Sequence, residues 1–218
     1  MGCGDVIGFD EGFCDYCFEE LEQTATDRLC VKCGEPKKEC ACNRRVLCFS
    51  GCASPFYNKG VAKKAMYAFK FRKKEAYFKL FARQMALCVK QNFHGISFDA
   101  VCCVPLSRMK RLFRGYNQSE VLAKEIAKIL GIPFLDGILT AKYRFATQHS
   151  LNPKERFEKL RGIYGFKFNT EAKTVLLVDD IRTTGATLNE CAKQLLISGA
   201  DKVYCVTGLL TTNRKERK

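Results

Sequence analysis

The sequence predicts an α/β fold, a mostly parallel sheet flanked by helices, with a small cysteine-rich module in front of it. Three observations carry that expectation. From residue 98 onward short apolar runs alternate with helical periods; one of these runs, VLLV, ends in two acids and a turn rich in threonine and glycine; and nine of the 14 cysteines fall within the first 52 residues. A chain of 218 residues accommodates one α/β domain plus a small module, since domains typically run to about 100–200 residues. The expected division is a module over residues 1–58 and a larger domain over residues 59–218.

Residues 1 to about 45 hold cysteine pairs and a turn-like KCGEP but little hydrophobic periodicity, so this stretch cannot bury much of a core by itself. Metal ligation is the expected substitute. Cys30-x-x-Cys33 followed by Cys40-x-Cys42 supplies four thiolates with Gly34 at the turn, the pattern of a closed structural Zn²⁺ site of zinc-ribbon type. Cys3, Cys14 and Cys17 provide only three ligands for a second site, with Cys48 or Cys52 as possible fourth ligands. Paired CxxC and CxC spacings suit metal in a reducing compartment better than disulfides. The later cysteines, Cys88, Cys102, Cys103, Cys191 and Cys205, sit in apolar runs and are expected to pack as small core residues.

Between residues 61 and 71 Ala62, Ala65, Met66 and Phe69 lie on one helical face, with Lys63, Lys64 and Lys70 off it. A second helix follows, in which Phe78, Phe81, Met85 and Val89 keep helical spacing and Lys79, Arg83 and Lys90 take another face. Then come AVCCV (100–104), a helix through SEVLAKEIAKIL, VLLV (175–178), a helix through LNECAKQLLI, and KVYCVTGLL. Strands and helices in alternation argue for a parallel sheet covered on both faces. Gly131 and Gly199 follow two of the helices as C-terminal caps should. The polar, basic segment from about 140 to 162 has no steady period and reads as a long loop, a length usual for functional lids.

Charge is distributed unevenly. The net +14 divides into −4 over residues 1–58, +9 over 59–90 and +9 over 91–218. The positive field therefore begins after the cysteine region, and four thiolates on Zn²⁺ would sharpen the contrast. No apolar stretch reaches the roughly 18 residues of a membrane span, and the acidic opening MGCGDVIGFDEG is unlike a signal peptide. A soluble cytoplasmic protein with no membrane insertion is the expectation.

The strongest chemical signal is VLLVDDIRTTGAT, residues 175–187. A buried strand ends in Asp179 and Asp180 and turns through Thr183, Thr184, Gly185, Ala186 and Thr187 into a helix. Ligands of parallel α/β sheets bind at the carboxyl ends of strands. The acids can accept hydrogen bonds from sugar hydroxyls, and the turn offers N–H groups and hydroxyls at a helix N-terminus, where an anion is favoured. The bland alternative is Thr184 or Thr187 as a helix cap with both acids merely solvated. Upstream, VPLSRMKRLFRGYNQSE gathers Arg108, Lys110, Arg111 and Arg114 before a helix, a candidate diphosphate cradle because guanidinium groups match phosphate oxygens. Neither a Walker A loop nor a GxGxxG fingerprint is present.

The thirteen-residue unit resembles the phosphoribosyl diphosphate (PRPP) signature of type I phosphoribosyltransferases. By that resemblance Asp179 and Asp180 hold the ribose hydroxyls and Thr183 to Thr187 hold the 5′-phosphate, with Mg²⁺ accompanying PRPP. Over nearly its full length the chain resembles the ComF family of competence and phosphoribosyltransferase-like proteins. The matching features are the cysteine module, the helix ending in FKFR (69–72), VPLS…RGYNQ (104–118), a loop with Gln148, Leu151 and Arg156, and the terminal signature. Lys159 stands where family members typically have Asn. The resemblance implies a type I phosphoribosyltransferase-like fold and a role in DNA uptake, with single-stranded DNA and a competence helicase as partners. Two activities are compatible with it: phosphoribosyl transfer to an acceptor that no residue identifies, or non-catalytic DNA binding on the same platform.

Overall fold

The computed structural model describes residues 17, 19–21, 23–24, 28–40, 42, 46–72, 75–107, 111–112, 115–142 and 162–212. After a short 3-10 turn at Lys37–Glu39 come β1 (Gly51–Ala53), β2 (Phe56–Tyr57), α1 (Gly60–Arg72), α2 (Glu75–Asn92), β3 (Ala100–Cys103), α3 (Gln118–Leu130), β4 (Leu139–Ala141), β5 (Tyr164–Phe166), β6 (Thr174–Arg182), α4 (Ala186–Ile197) and β7 (Lys202–Leu210). The main sheet runs β1-β7-β6-β3, with β2 continuing along the β1 side of β7, and every pairing in it is parallel.

Strand β6 shows why the sequence has a continuous apolar run here instead of an alternation. Leu176 and Val178 enter one core cluster, with Met66, Phe69, Phe81, Met85, Leu122 and Ile126 from α1, α2 and α3. Val175 and Leu177 enter the other, with Leu188, Cys191 and Leu195 from α4. A strand buried on both faces has no polar side to present. The expected small-core role holds for Cys88, Cys102, Cys191 and Cys205, all buried, and for the half-buried Cys103, which packs against the first cluster. Gly131 and Gly199 follow α3 and α4 with φ of 70° and 116°.

Two parts of the sheet region are absent from the sequence-based expectation. Residues 51–57, counted there with the cysteine module, form two short strands on β7, with Cys52 opposite Cys205 and Phe56 opposite Leu209. The segment read as a loop from 140 to 162 is closed at its base by an antiparallel pair, Leu139 opposite Phe166 and Ala141 opposite Tyr164. Residues 143–161, with Gln148, Leu151, Arg156 and Lys159, lie outside the described residues.

Candidate functional site

Asp179 and Asp180 occupy the C-terminal part of the central strand β6, and neither is simply solvated. Ser119 Oγ donates to Asp179 Oδ1 at 2.7 Å, and the Asp180 N–H donates to the same oxygen at 2.9 Å. Burial, and then the neighbouring Asp180 carboxylate, push the Asp179 carboxyl up to about 7, against the opposing pull of these two hydrogen bonds and of Lys70. Asp180 Oδ2 is 2.6 Å from Lys70 Nζ, with the two side chains 15% and 12% exposed. Lys70, off the apolar face of α1 in the sequence pattern, is thus drawn into the site.

The RGYNQ segment holds this arrangement in place. Asn117 caps α3, its Oδ1 accepting from the Ser119 N–H at 3.2 Å while its Nδ2 donates to the Val104 carbonyl at 3.1 Å. Tyr116 donates from its hydroxyl to the Phe69 carbonyl on α1. The start of α3 is therefore fixed to the end of β3 and to α1, which sets Ser119 against Asp179. A hydroxyl two residues past an Asn cap, before an apolar helix, is the signal by which Ser119 is recognisable.

After Arg182 the chain bends through Thr183 and Thr184, and Gly185 takes the cap position of α4 with φ 77°. Gly185, and not Thr184 or Thr187, occupies the cap position, while Thr184 Oγ1 accepts from the Ala186 N–H of the first turn at 3.4 Å. The left-handed Gly185 turns the chain from β6 into the first turn of α4, and a helix N-terminus favours an anion. Of the basic cluster, Arg111 is described: it is exposed and 3.6 Å from Glu120. It lines a cleft of about 530 Å³ with Cys103, Asn117, Glu120, Asp136 and Lys142. Arg108, Lys110 and Arg114 lie outside the described residues.

The four thiols of Cys30, Cys33, Cys40 and Cys42 converge, all within 4.8 Å of one another. Cys30 and Cys42 sulfurs are 3.8 Å apart and those of Cys33 and Cys40 3.6 Å. A tetrahedral ion with Zn–S bonds of about 2.3 Å needs sulfurs about 3.8 Å apart, so the cluster fits structural zinc. Burial pushes the Cys30 thiol up, but backbone N–H groups of Cys33 and Lys32 and the neighbouring thiols outweigh it and bring it down to about 7. Cys42, by contrast, is pushed up to about 11, chiefly by burial. Cys17 is buried in an apolar cluster with Leu21 and Tyr77, and Cys3 and Cys14 lie outside the described residues. Among the described residues no second cluster of metal ligands forms.

Residues 117–218, from the cap of α3 onward, match the phosphoribosyl transferase domain, and they contribute β6, β7 and the helix between them to the parallel sheet. The chain is 31% identical over 141 residues to competence protein F of Haemophilus influenzae, covering 62% of each chain. It is 33% identical over 110 residues to the DNA utilization protein YhgH of Salmonella typhi, covering 50% of this chain and 48% of that one. To competence protein ComFC of Bacillus subtilis it is 26% identical over 203 residues, covering 87% of this chain and 80% of that one. The chain spans less than two thirds of the first two relatives. It is a homologue of the competence proteins F and ComFC and of YhgH, as the cysteine module, RGYNQ and VLLVDDIRTTGAT lead one to expect.

Proposed function

We propose that the chain binds PRPP together with Mg²⁺ at the C-terminal end of β6. One observation carries the reading: two acids in the C-terminal part of the central strand are followed, through a turn on the left-handed Gly185, by the N-terminus of a helix. In this reading Asp179 and Asp180 take the ribose hydroxyls, residues 183–187 take the 5′-phosphate, and the basic segment with Arg108, Lys110, Arg111 and Arg114 takes the diphosphate. Mg²⁺ would neutralise charge on the diphosphate as it leaves C1′.

The names of the relatives, competence proteins and DNA utilization protein, support a role in handling DNA during uptake; in this reading the protein acts in the cytoplasm beside a helicase partner. The described cysteines are all free, which suits a reducing compartment. No helix of the described residues is long and apolar enough to cross a membrane. A second reading, single-stranded DNA binding without phosphoribosyl transfer, is favoured by the exposed Arg83 and Lys90 on α2. Calorimetry with PRPP and Mg²⁺, run beside single-stranded DNA binding at two salt concentrations, decides between them. Saturable heat with PRPP is expected; its absence, with salt-sensitive DNA binding retained, would leave the second reading alone.

A further inference from the structure

Arg182 lies between the cysteine module and the turn that follows β6. Its side chain is buried, 2% exposed, and its Nη2 is 3.1 Å from Glu35 Oε1. Glu35 belongs to the metal module: its carbonyl accepts from the Cys30 N–H at 2.8 Å, and its other carboxylate oxygen is 4.0 Å from Cys33 Sγ. The guanidinium fills the space between two glycines. A Cβ on Gly34 would come within 3.2 Å of Arg182 Nη1 and would collide with the Cys52 carbonyl oxygen; a Cβ on Gly185 would come within 3.2 Å of Arg182 Nε. Both glycines have left-handed backbone, with φ of 67° and 77°. One planar group therefore lies against the Gly34 turn of the metal module on one edge and the turn into α4 on the other.

The hydrogen bonds of this guanidinium are incomplete. Nε and Nη1 are buried and have no hydrogen-bond partner among the described residues. Buried donors left unmade are costly, so the bond the guanidinium does make, from Nη2 to Glu35, is what holds it in this position. The constraint here is the Glu35 carboxylate, and its position depends on the four-thiol cluster that shapes residues 30–42.

We propose that Arg182 is a positioning residue that couples the metal module to the phosphate turn. Metal in the Cys30, Cys33, Cys40, Cys42 cluster fixes Glu35; Glu35 fixes the guanidinium; and the guanidinium supports Gly185 and the first turn of α4 from beneath. Loss of the metal, by chelation, frees Glu35. The buried guanidinium then loses its counter-charge and the turn loses its support. The module would thus act as a metal-sensitive control on anion binding at the C-terminal end of β6. The part of this that concerns ligand rests on the phosphoribosyl reading above; the mechanical coupling does not.

The test is amide hydrogen exchange on the full chain, zinc-loaded and after chelation, with ribose 5-phosphate affinity measured in parallel. Chelation is expected to speed exchange over residues 183–190, where the Asn189 N–H bonds to the Gly185 carbonyl, by about tenfold. It should weaken ribose 5-phosphate by about fivefold or more, the low end of ordinary coupling between sites. Glu35→Gln, which keeps shape and removes charge, should do the same with metal still bound, and in Arg182→Met chelation should change residues 183–190 no further. Exchange over β3 should stay as in the untreated protein in every case. Faster exchange over residues 28–40 with no change over 183–190 overturns the coupling. Failure of ribose 5-phosphate to bind the zinc-loaded protein, with the exchange response intact, overturns the phosphoribosyl reading and supports the coupling.

Discussion

Lys70 on α1 reaches across the end of the sheet to Asp180 on β6, its Nζ 2.6 Å from Oδ2, both side chains largely out of solvent. The contact joins the FKFR helix to the paired acids, two segments more than a hundred residues apart. It also explains how two adjacent carboxyls are tolerated: Lys70 opposes the charge of Asp180 and lowers the proton affinity of Asp179.

Lys70→Met is therefore expected to destabilise the domain by about 2 kcal/mol, less than the 3–5 kcal/mol of a fully buried pair that loses one partner. The residual cost is that of Asp180 left beside Asp179 without a cation. Adding Asp180→Asn should restore most of the loss. Chemical denaturation of the two single variants and the double variant measures this. Equal destabilisation in Lys70→Met with and without Asp180→Asn would show that the pair contributes nothing.

Asp179 makes the site sensitive to pH. Its carboxyl is raised to about 7 in the folded chain, mainly by burial, against about 3.9 for an unperturbed aspartate. The folded state thus holds the proton more tightly than the unfolded chain, so stability falls as pH rises from about 4 to about 7, and the full penalty is present above that. Asp179→Asn removes the penalty: the variant should be more stable than the parent at pH 8, with the difference shrinking towards pH 5. Melting curves at the two pH values check it, and a pH-independent difference would contradict the assignment.

Ligand binding should respond in the opposite sense, because a ribose hydroxyl donates best to an ionised carboxylate. Replacing both acids, Asp179→Asn with Asp180→Asn, should weaken PRPP at least about tenfold, since hydrogen bonds to charged groups contribute about 1.5–3 kcal/mol each. Far-UV circular dichroism should remain native, because both side chains stand at the strand end and not in the apolar clusters. Unchanged PRPP affinity in calorimetry would sink the ribose assignment.

How much of this was legible beforehand follows from where the information lies. The long strands and helices are readable because Leu176, Val178, Leu122 and Ile126 keep the period of their own elements. Strands of two and three residues such as Phe56–Tyr57 and Gly51–Ala53 have no period; they exist because β7 offers an edge to pair with. Asp179 and Asp180 were recognisable from local order, whereas Ser119 and Lys70, their partners, come from helices whose positions only the packed fold determines. Arg182 shows the same limit. Within VDDIRTTGAT it reads as one more polar residue of the turn, and its link to Glu35 spans 147 residues.

Purified, reduced protein should carry about one zinc per chain in the cluster of Cys30, Cys33, Cys40 and Cys42, the stoichiometry of a closed four-cysteine site. Cys30→Ser with Cys33→Ser should abolish it and expose residues 28–40 to proteolysis. Elemental analysis checks the content, and metal-free protein of unchanged protease resistance would refute a structural role.

Charge decides where DNA would bind. The cysteine region carries −4 over residues 1–58 before any thiolate is counted, so a polyanion is repelled there, while residues 59–90 carry +9. On α2 Arg83 and Lys90 are exposed and Lys79 is half-buried one turn before Arg83, so the three share a face. Of the two tyrosines in the same basic stretch, Tyr77 is buried at 8% exposure and belongs to the core, whereas Tyr67 on α1 is 50% exposed. Lys79→Glu with Arg83→Glu should therefore weaken single-stranded DNA binding and flatten its salt dependence by about one to two counterions, because each lost phosphate contact removes roughly 0.7 from the slope for a single strand. Lys37 and Lys38, exposed beside the thiol cluster, serve as the control, and reversing their charge should change little. Titrations at several salt concentrations decide the matter: a large loss from the Lys37 and Lys38 changes with none from the α2 pair would move the DNA site to the metal module.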